Sequence, residues 1–138
     1  MPLFIGDEKR GQHGSLLLTI YHLGQTVPDV SVIQIAQTLN VSKPSVTNML
    51  NNLMDKGLLV KERYGKIYLT DTGFLLAKNF ELRVEALCER LPNLNLDLSE
   101  DEQLNTAYLL AAALPTHIFE KLGIRAVQPI NADDAGET

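Results

Sequence analysis

The chain has 138 residues, of which 45% are hydrophobic and 21% charged, and a net charge of −5. That length supplies one hydrophobic core and is too short for two ordinary domains. No apolar run reaches the about 18 residues of a membrane helix, the opening MPLFIGDEKR is too short and acidic for a signal peptide, and the lone Cys88 excludes a disulfide framework, so a cytoplasmic protein held by packing is expected.

In chain order, residues 1–14 mix glycines and charges without a period and are expected to form an irregular arm. Ser15 then opens a short apolar helix, SLLLTIYHLG, which stops at Gly24. After TVPDV, Ser31 and Gln34 form the S-x-x-Q pattern of a capping box, with Val32, Ile35, Ala36 and Leu39 at helical spacing behind it. Ser42 caps the next helix, where Pro44 is tolerated because a first-turn N–H has no helical partner. Val46, Met49, Leu50 and Leu53 form its buried stripe, and Gly57 stops it. LLVKE and KIYLT then read as a hairpin with a basic tip at Arg63, Tyr64, Gly65 and Lys66.

A long helix starts from Asp71 or Thr72 as its cap and runs to Pro92, with Phe80, Val84, Leu87 and Leu91 on one stripe. Ser99 and Glu102 make a second capping box before a helix that Pro115 interrupts, whose Leu104, Ala107, Tyr108, Ala111 and Leu114 share one side. A short turn, THIFEKLG, follows, and residues 124–138 carry too little apolar material to pack and are expected to trail in solvent.

The fold class is therefore mainly α with a small β-hairpin: an arm (1–14), a winged helix-turn-helix (15–71), a helical dimerisation region (72–123) and a tail (124–138). Charge supports a nucleic-acid surface in the second of these. Between residues 30 and 70, Lys43, Lys56, Lys61, Arg63 and Lys66 face only Asp55 and Glu62, whereas residues 92–138 hold two bases and eight acids. A helix enters the major groove when its exposed face is slim and can donate and accept hydrogen bonds. On the helix from Ser42, the residues Ser45, Thr47, Asn48 and Asn51 suit base edges, Pro44 a thymine methyl, and Ser42 and Lys43 phosphate. Arg63, Tyr64 and Lys66 would hold the wing on the backbone or in the minor groove. The bland alternative is a solvated helix and hairpin; the ordered arrangement of all these parts favours double-stranded DNA.

The run VSVIQIAQTLNVSKPSVTNMLNNLMDKGLLVKERYGKIYLTDTG resembles the DNA-binding half of the diphtheria-toxin-repressor-like family, the iron- and manganese-dependent repressors. Its specific part is I-A-x-x-L-x-V-S-x-x-S-V-T-x-M-L-x-x-L, then G-L-L-V, R-Y-G-x-I-x-L-T and a glycine. More thinly, the resemblance extends over residues 15–122, and it fits the short members without the SH3-like domain. It implies a homodimer, and manganese or iron held by an acidic residue of the first helix, a histidine of the long helix and a Glu-x-x-Glu-His pattern in the next. Ser15 or its neighbours, Val84, Tyr108, Ala111 and Ala112 stand at those places, none a carboxylate or imidazole, so no cofactor is expected with its ligands in place. A packed core, or a pocket for an apolar effector, would fill the same volume.

His117 and Glu120 share a helical face and, with Asp7, Glu8, His13 or His22, are the remaining metal-donor candidates, although scattered histidines are more often ordinary polar groups. Cys88 reads as a small core residue. No nucleophile–base pair or glycine-rich phosphate loop is present, so an enzyme is not expected. The expected function is a DNA-binding transcriptional regulator, a repressor, acting as a homodimer on an inverted repeat. Phe80, Val84, Leu87 and Leu91 either line the dimer interface or contact Tyr108 and Ala111 within one chain. Two alternatives are a winged-helix regulator that senses a small organic ligand, as multiple-antibiotic-resistance regulators do, and a winged-helix module that binds protein partners without DNA.

Overall fold

The computed structural model describes residues 5–63 and 65–125, with side chains from His13 onward. In order the elements are α1 (Ile5–Thr26), α2 (Val32–Leu39), α3 (Lys43–Asp55), β1 (Leu59–Lys61), β2 (Ile67–Leu69), α4 (Asp71–Arg90), a 3-10 turn (Leu91–Leu94), α5 (Glu100–Ala113) and α6 (Thr116–Lys121). The mainly helical fold with one hairpin matches the class expected from sequence.

Both capping boxes form. Ser31 Oγ accepts from the Gln34 backbone N–H at 3.3 Å, and Gln34 Oε1 accepts from the Ser31 N–H at 2.9 Å. Ser99 and Glu102 repeat the reciprocal pair at 3.1 and 3.0 Å. Each box satisfies donors that a helix start leaves unpaired. Between α2 and α3 the chain reverses through Asn40, whose φ of 56° and ψ of 47° place it in the left-handed region that asparagine tolerates.

Four boundaries differ from the sequence reading, the first being that α1 runs through Gly24, its expected stop, to Thr26. Residues 5–14, expected to be irregular, belong to α1. Glycines disfavour an isolated helix, but Gly14 lies against the ring of Phe80, where a side chain would not fit. The cap of α4 is Thr70, one residue before the candidates Asp71 and Thr72: its hydroxyl accepts from the Gly73 N–H at 3.1 Å and donates to the Gly57 carbonyl at 2.7 Å. The turn at THIFEKLG is the helix α6, anchored by the buried Phe119.

Two apolar clusters form the interior, and α1 serves both. Leu16, Leu17 and Ile20 join Ile35, Val46, Leu50, Leu53, Leu59 and Ile67 beneath the winged segment. Leu18 faces the other way, into Phe80, Val84, Leu87, Leu91, Ala107, Ala111 and Phe119. Phe80, Val84, Leu87 and Leu91 are only 4–6% exposed in the single chain, and the first of these rings meets Tyr108 edge-on with centroids 5.6 Å apart. Of the two roles left open for this stripe, the intrachain one is observed; these side chains retain little surface for a partner. Expectations for Tyr64 and for residues 126–138 of the tail fall outside the described residues.

Candidate nucleic-acid interface

Helix α3 is fixed from beneath by Val46, Leu50 and Leu53, all buried, with Met49 half-buried beside them. Its outer face is thereby set. Lys43, Pro44, Ser45, Asn48, Asn51 and Asn52 are exposed, and Thr47 is half-buried. Ser42 caps the helix, accepting from the Ser45 N–H at 3.3 Å while donating its hydroxyl proton to Ser45 Oγ at 2.9 Å. That contact leaves Ser45 its own hydroxyl proton to donate outward. Asp55, exposed at the far end of α3, is its only acidic residue, so the first three turns present donors and acceptors without a repelling charge.

The hairpin is a short antiparallel wing with Leu59 opposite Leu69 and Lys61 opposite Ile67. Leu59 and Ile67 point into the core, which orients the tip. The tip closes by the Glu62 N–H to Lys66 carbonyl bond at 2.7 Å and by Gly65, whose φ of +87° suits a residue without Cβ. Arg63 is exposed at this tip. Lys66 is engaged: its Nζ lies 3.3 Å from Asp29 Oδ1 and 4.9 Å from the Tyr68 ring centroid. Tyr68 and Asp29 hold its ammonium above the ordinary lysine range. An exposed pair of this kind is weak and salt-sensitive, so a phosphate can replace the carboxylate. Sequence reading missed Asp29, because a contact between the loop before α2 and the wing has no local signature.

The wing is fastened to α4 by two backbone features. The Thr70 N–H donates to the Leu58 carbonyl at 3.1 Å, and a Cβ on Gly73 would lie 1.9 Å from that same oxygen. Only glycine lets the first turn of α4 approach so closely.

Asp7 and Glu8 fall outside the described side chains, and the other donor candidates are not brought together. His117 and Glu120 are exposed on α6, and His22 pairs with Glu81 at 2.9 Å on another face. Cys88 is half-buried, and desolvation, followed by Glu85, pushes its thiol up, away from reactivity. Among the described residues there is no group of three or more His, Cys, Asp or Glu suited to a metal ion. At the positions where the resemblance implies ligands, Val84 and Ala111 are buried in the second cluster, Tyr108 and Ala112 are half-buried beside them, and Ser15 directs its carbonyl to the Thr19 hydroxyl at 2.9 Å. Valine and alanine side chains have no lone pair, so this set does not fit manganese or iron. No helix among the described residues is long and apolar enough to cross a membrane.

A slim polar helix on an apolar base, preceded by a capped helix and followed by a basic hairpin, defines a winged helix-turn-helix protein. Residues 15–67 match the family described as iron dependent repressor, N-terminal DNA binding domain. The structure is similar to that of the manganese regulator SloR, at a TM-score of 0.68 and 26% identity, over 85% of this chain and 56% of that one. It is similar to the manganese-activated repressor ScaR in its apo form at 0.61 and 30%, over 78% of this chain and 51% of that one. The protein SSo2273 from Sulfolobus solfataricus shares the fold, with a TM-score of 0.59 at 21% identity over 80% of this chain and 84% of that one. Residues 15–67 thus carry the resemblance to the DNA-binding domain of iron-dependent repressors, and the chain spans about half the length of SloR and ScaR.

Proposed function

We propose that this protein is a transcriptional regulator, a repressor, that reads double-stranded DNA with α3 and steadies itself on the backbone with the wing. The observation that carries this reading is the outer face of α3, where six small or flexible polar residues from Ser42 to Asn51 sit on three fully buried anchors. Asn48 and Asn51, with Ser45 and Thr47, take base edges; Ser42, Lys43 and Arg63 take phosphates, and Lys66 joins them on release from Asp29.

The acting form is a homodimer. The second half of α5, AYLLAAA, is apolar on every side, a composition that belongs to a helix covered all round. In the single chain Leu109 is nevertheless 71% exposed and Leu104 47% exposed. A second copy docked on the outer face of α5, opposite the buried Ala107 and Ala111, covers Leu109 in place of the buried stripe of α4. Twofold symmetry sets the two reading helices about one turn of DNA, roughly 34 Å, apart, so the operator is an inverted repeat.

DNA binding by this chain is independent of manganese and iron at the family's ligand positions, because those positions contribute packing to the second cluster in place of donors. Selection from random duplexes at moderate salt tests the reading. Recovery of an inverted repeat whose enrichment is lost with Asn48→Ala supports it; recovery of no sequence favours a protein-binding winged-helix module.

A further inference from the structure

A cavity of about 420 Å³ lies where the winged segment meets the helical region, between α1, the end of α3, α4 and the start of α6. Its floor is apolar, built from Leu17, Leu58 and Phe80 with Leu76 at the edge. Its polar rim carries two cations, Lys56 and Arg83, beside the His13 imidazole, and no carboxylate lines it among the described residues. Such a volume is in the range of small-molecule sites, which combine an apolar body with a few convergent polar groups.

Among the described residues, the cations of the rim have no anionic partner. The Lys56 ammonium donates to His13 Nδ1 at 3.3 Å, a contact that needs a neutral imidazole. Arg83 donates from Nη2 to Thr116 Oγ1 at 3.3 Å and stacks over the Phe119 ring, 4.5 Å from its centroid. It is half-buried, and desolvation lowers its pKa. It also borders a second cavity holding Glu120 and Arg125, but forms an ion pair with neither Glu120 nor any other described carboxylate. A partly desolvated guanidinium without a carboxylate is satisfied when an anion reaches it.

We propose that this cavity binds a small organic monoanion, an aromatic carboxylate, with its ring on the Leu17, Leu58 and Phe80 floor and its carboxylate met by Arg83 and Lys56. Neither a duplex phosphate nor inorganic phosphate gains anything from the apolar floor. Lys56 is the C-terminal cap of α3 and Arg83 lies within α4, so one ligand touches both the reading helix and the helical region. That such a ligand regulates DNA affinity rests on the DNA-binding reading above; the site itself does not.

The test is therefore made on the full chain without DNA, by calorimetric titration with 2-naphthoate, its neutral amide and inorganic phosphate. The expected result is saturable naphthoate binding that is at least tenfold weaker for the amide and for phosphate, and at least tenfold weaker with Arg83→Gln. Lys56→Gln, at an exposed position, gives the same loss without touching the core. Absence of naphthoate binding, equal binding of the amide or of phosphate, or unchanged binding in a folded Lys56→Gln variant would overturn the proposal.

Discussion

Gly14 and Phe80 are in such close contact that a Cβ on the glycine would stand 2.5 Å from Cδ2 of the ring. The ring is buried in the second cluster, so it cannot shift without disturbing the side chains packed on it. Helix α1 thus lies directly on α4. Gly14→Ala is expected to destabilise the protein by about 1–3 kcal/mol, as overpacking does, and Gly73→Ala by more, because the obstacle there is the Leu58 carbonyl. Gly24, also in α1, has nothing within 4 Å, and Gly24→Ala should stabilise by about 0.5–1 kcal/mol. Urea denaturation of the three variants checks the order.

The contact of Lys66 with Asp29 gives a prediction of opposite sign to most substitutions at a binding surface. Asp29→Asn removes the competing carboxylate and should tighten DNA binding severalfold at low salt. Arg63→Ala should weaken binding across all sequences and reduce the slope of log K against log salt by about 0.9, one phosphate contact. Fluorescence anisotropy over a salt series measures both.

Leu109 is the position through which the proposed dimer would be broken without disturbing the chain. It is exposed, whereas the α4 stripe is buried, so Leu109→Glu should give a folded monomer with unchanged helical content and much weaker operator binding. Analytical ultracentrifugation with circular dichroism separates this from unfolding. A dimer of unchanged stability would move the interface elsewhere.

The His13 imidazole is held below its ordinary value of 6.5, first by desolvation and then by the nearby Lys56. The unfolded chain therefore takes up this proton at higher pH than the folded one. The resulting contribution to stability is present above pH 6.5 and is lost as pH falls toward the lower folded-state value. Lys56→Gln removes the second cause, and the His13 pKa should rise part of the way back, as read by NMR titration of the ring.

Much of this fold is legible in the sequence because its signals are local. Ser31 with Gln34, Ser99 with Glu102, Ser42 before Pro44, and the hairpin of LLVKE with KIYLT each act within a few residues, and each forms as expected. The outer face of α3 follows from the same periodicity. What escaped depends on contacts between distant segments. Gly14 reads as a helix breaker until Phe80 is placed on it, and Phe80 to Leu91 read equally well as an interface until Leu18, Ala107 and Phe119 cover them. Asp29 beside Lys66, and Lys56 and Arg83 on one cavity, are likewise juxtapositions that spacing along the chain does not encode.

The central claim is that α3 reads DNA without the metal that the ligand positions of this family would hold. Its most direct test is the affinity for the selected inverted repeat, measured at fixed salt with manganese, with iron(II) and with a chelator in place of either. Equal dissociation constants in all three conditions are predicted, since Val84, Ala111 and Ala112 offer no donor. Binding that appears only with metal would contradict the account.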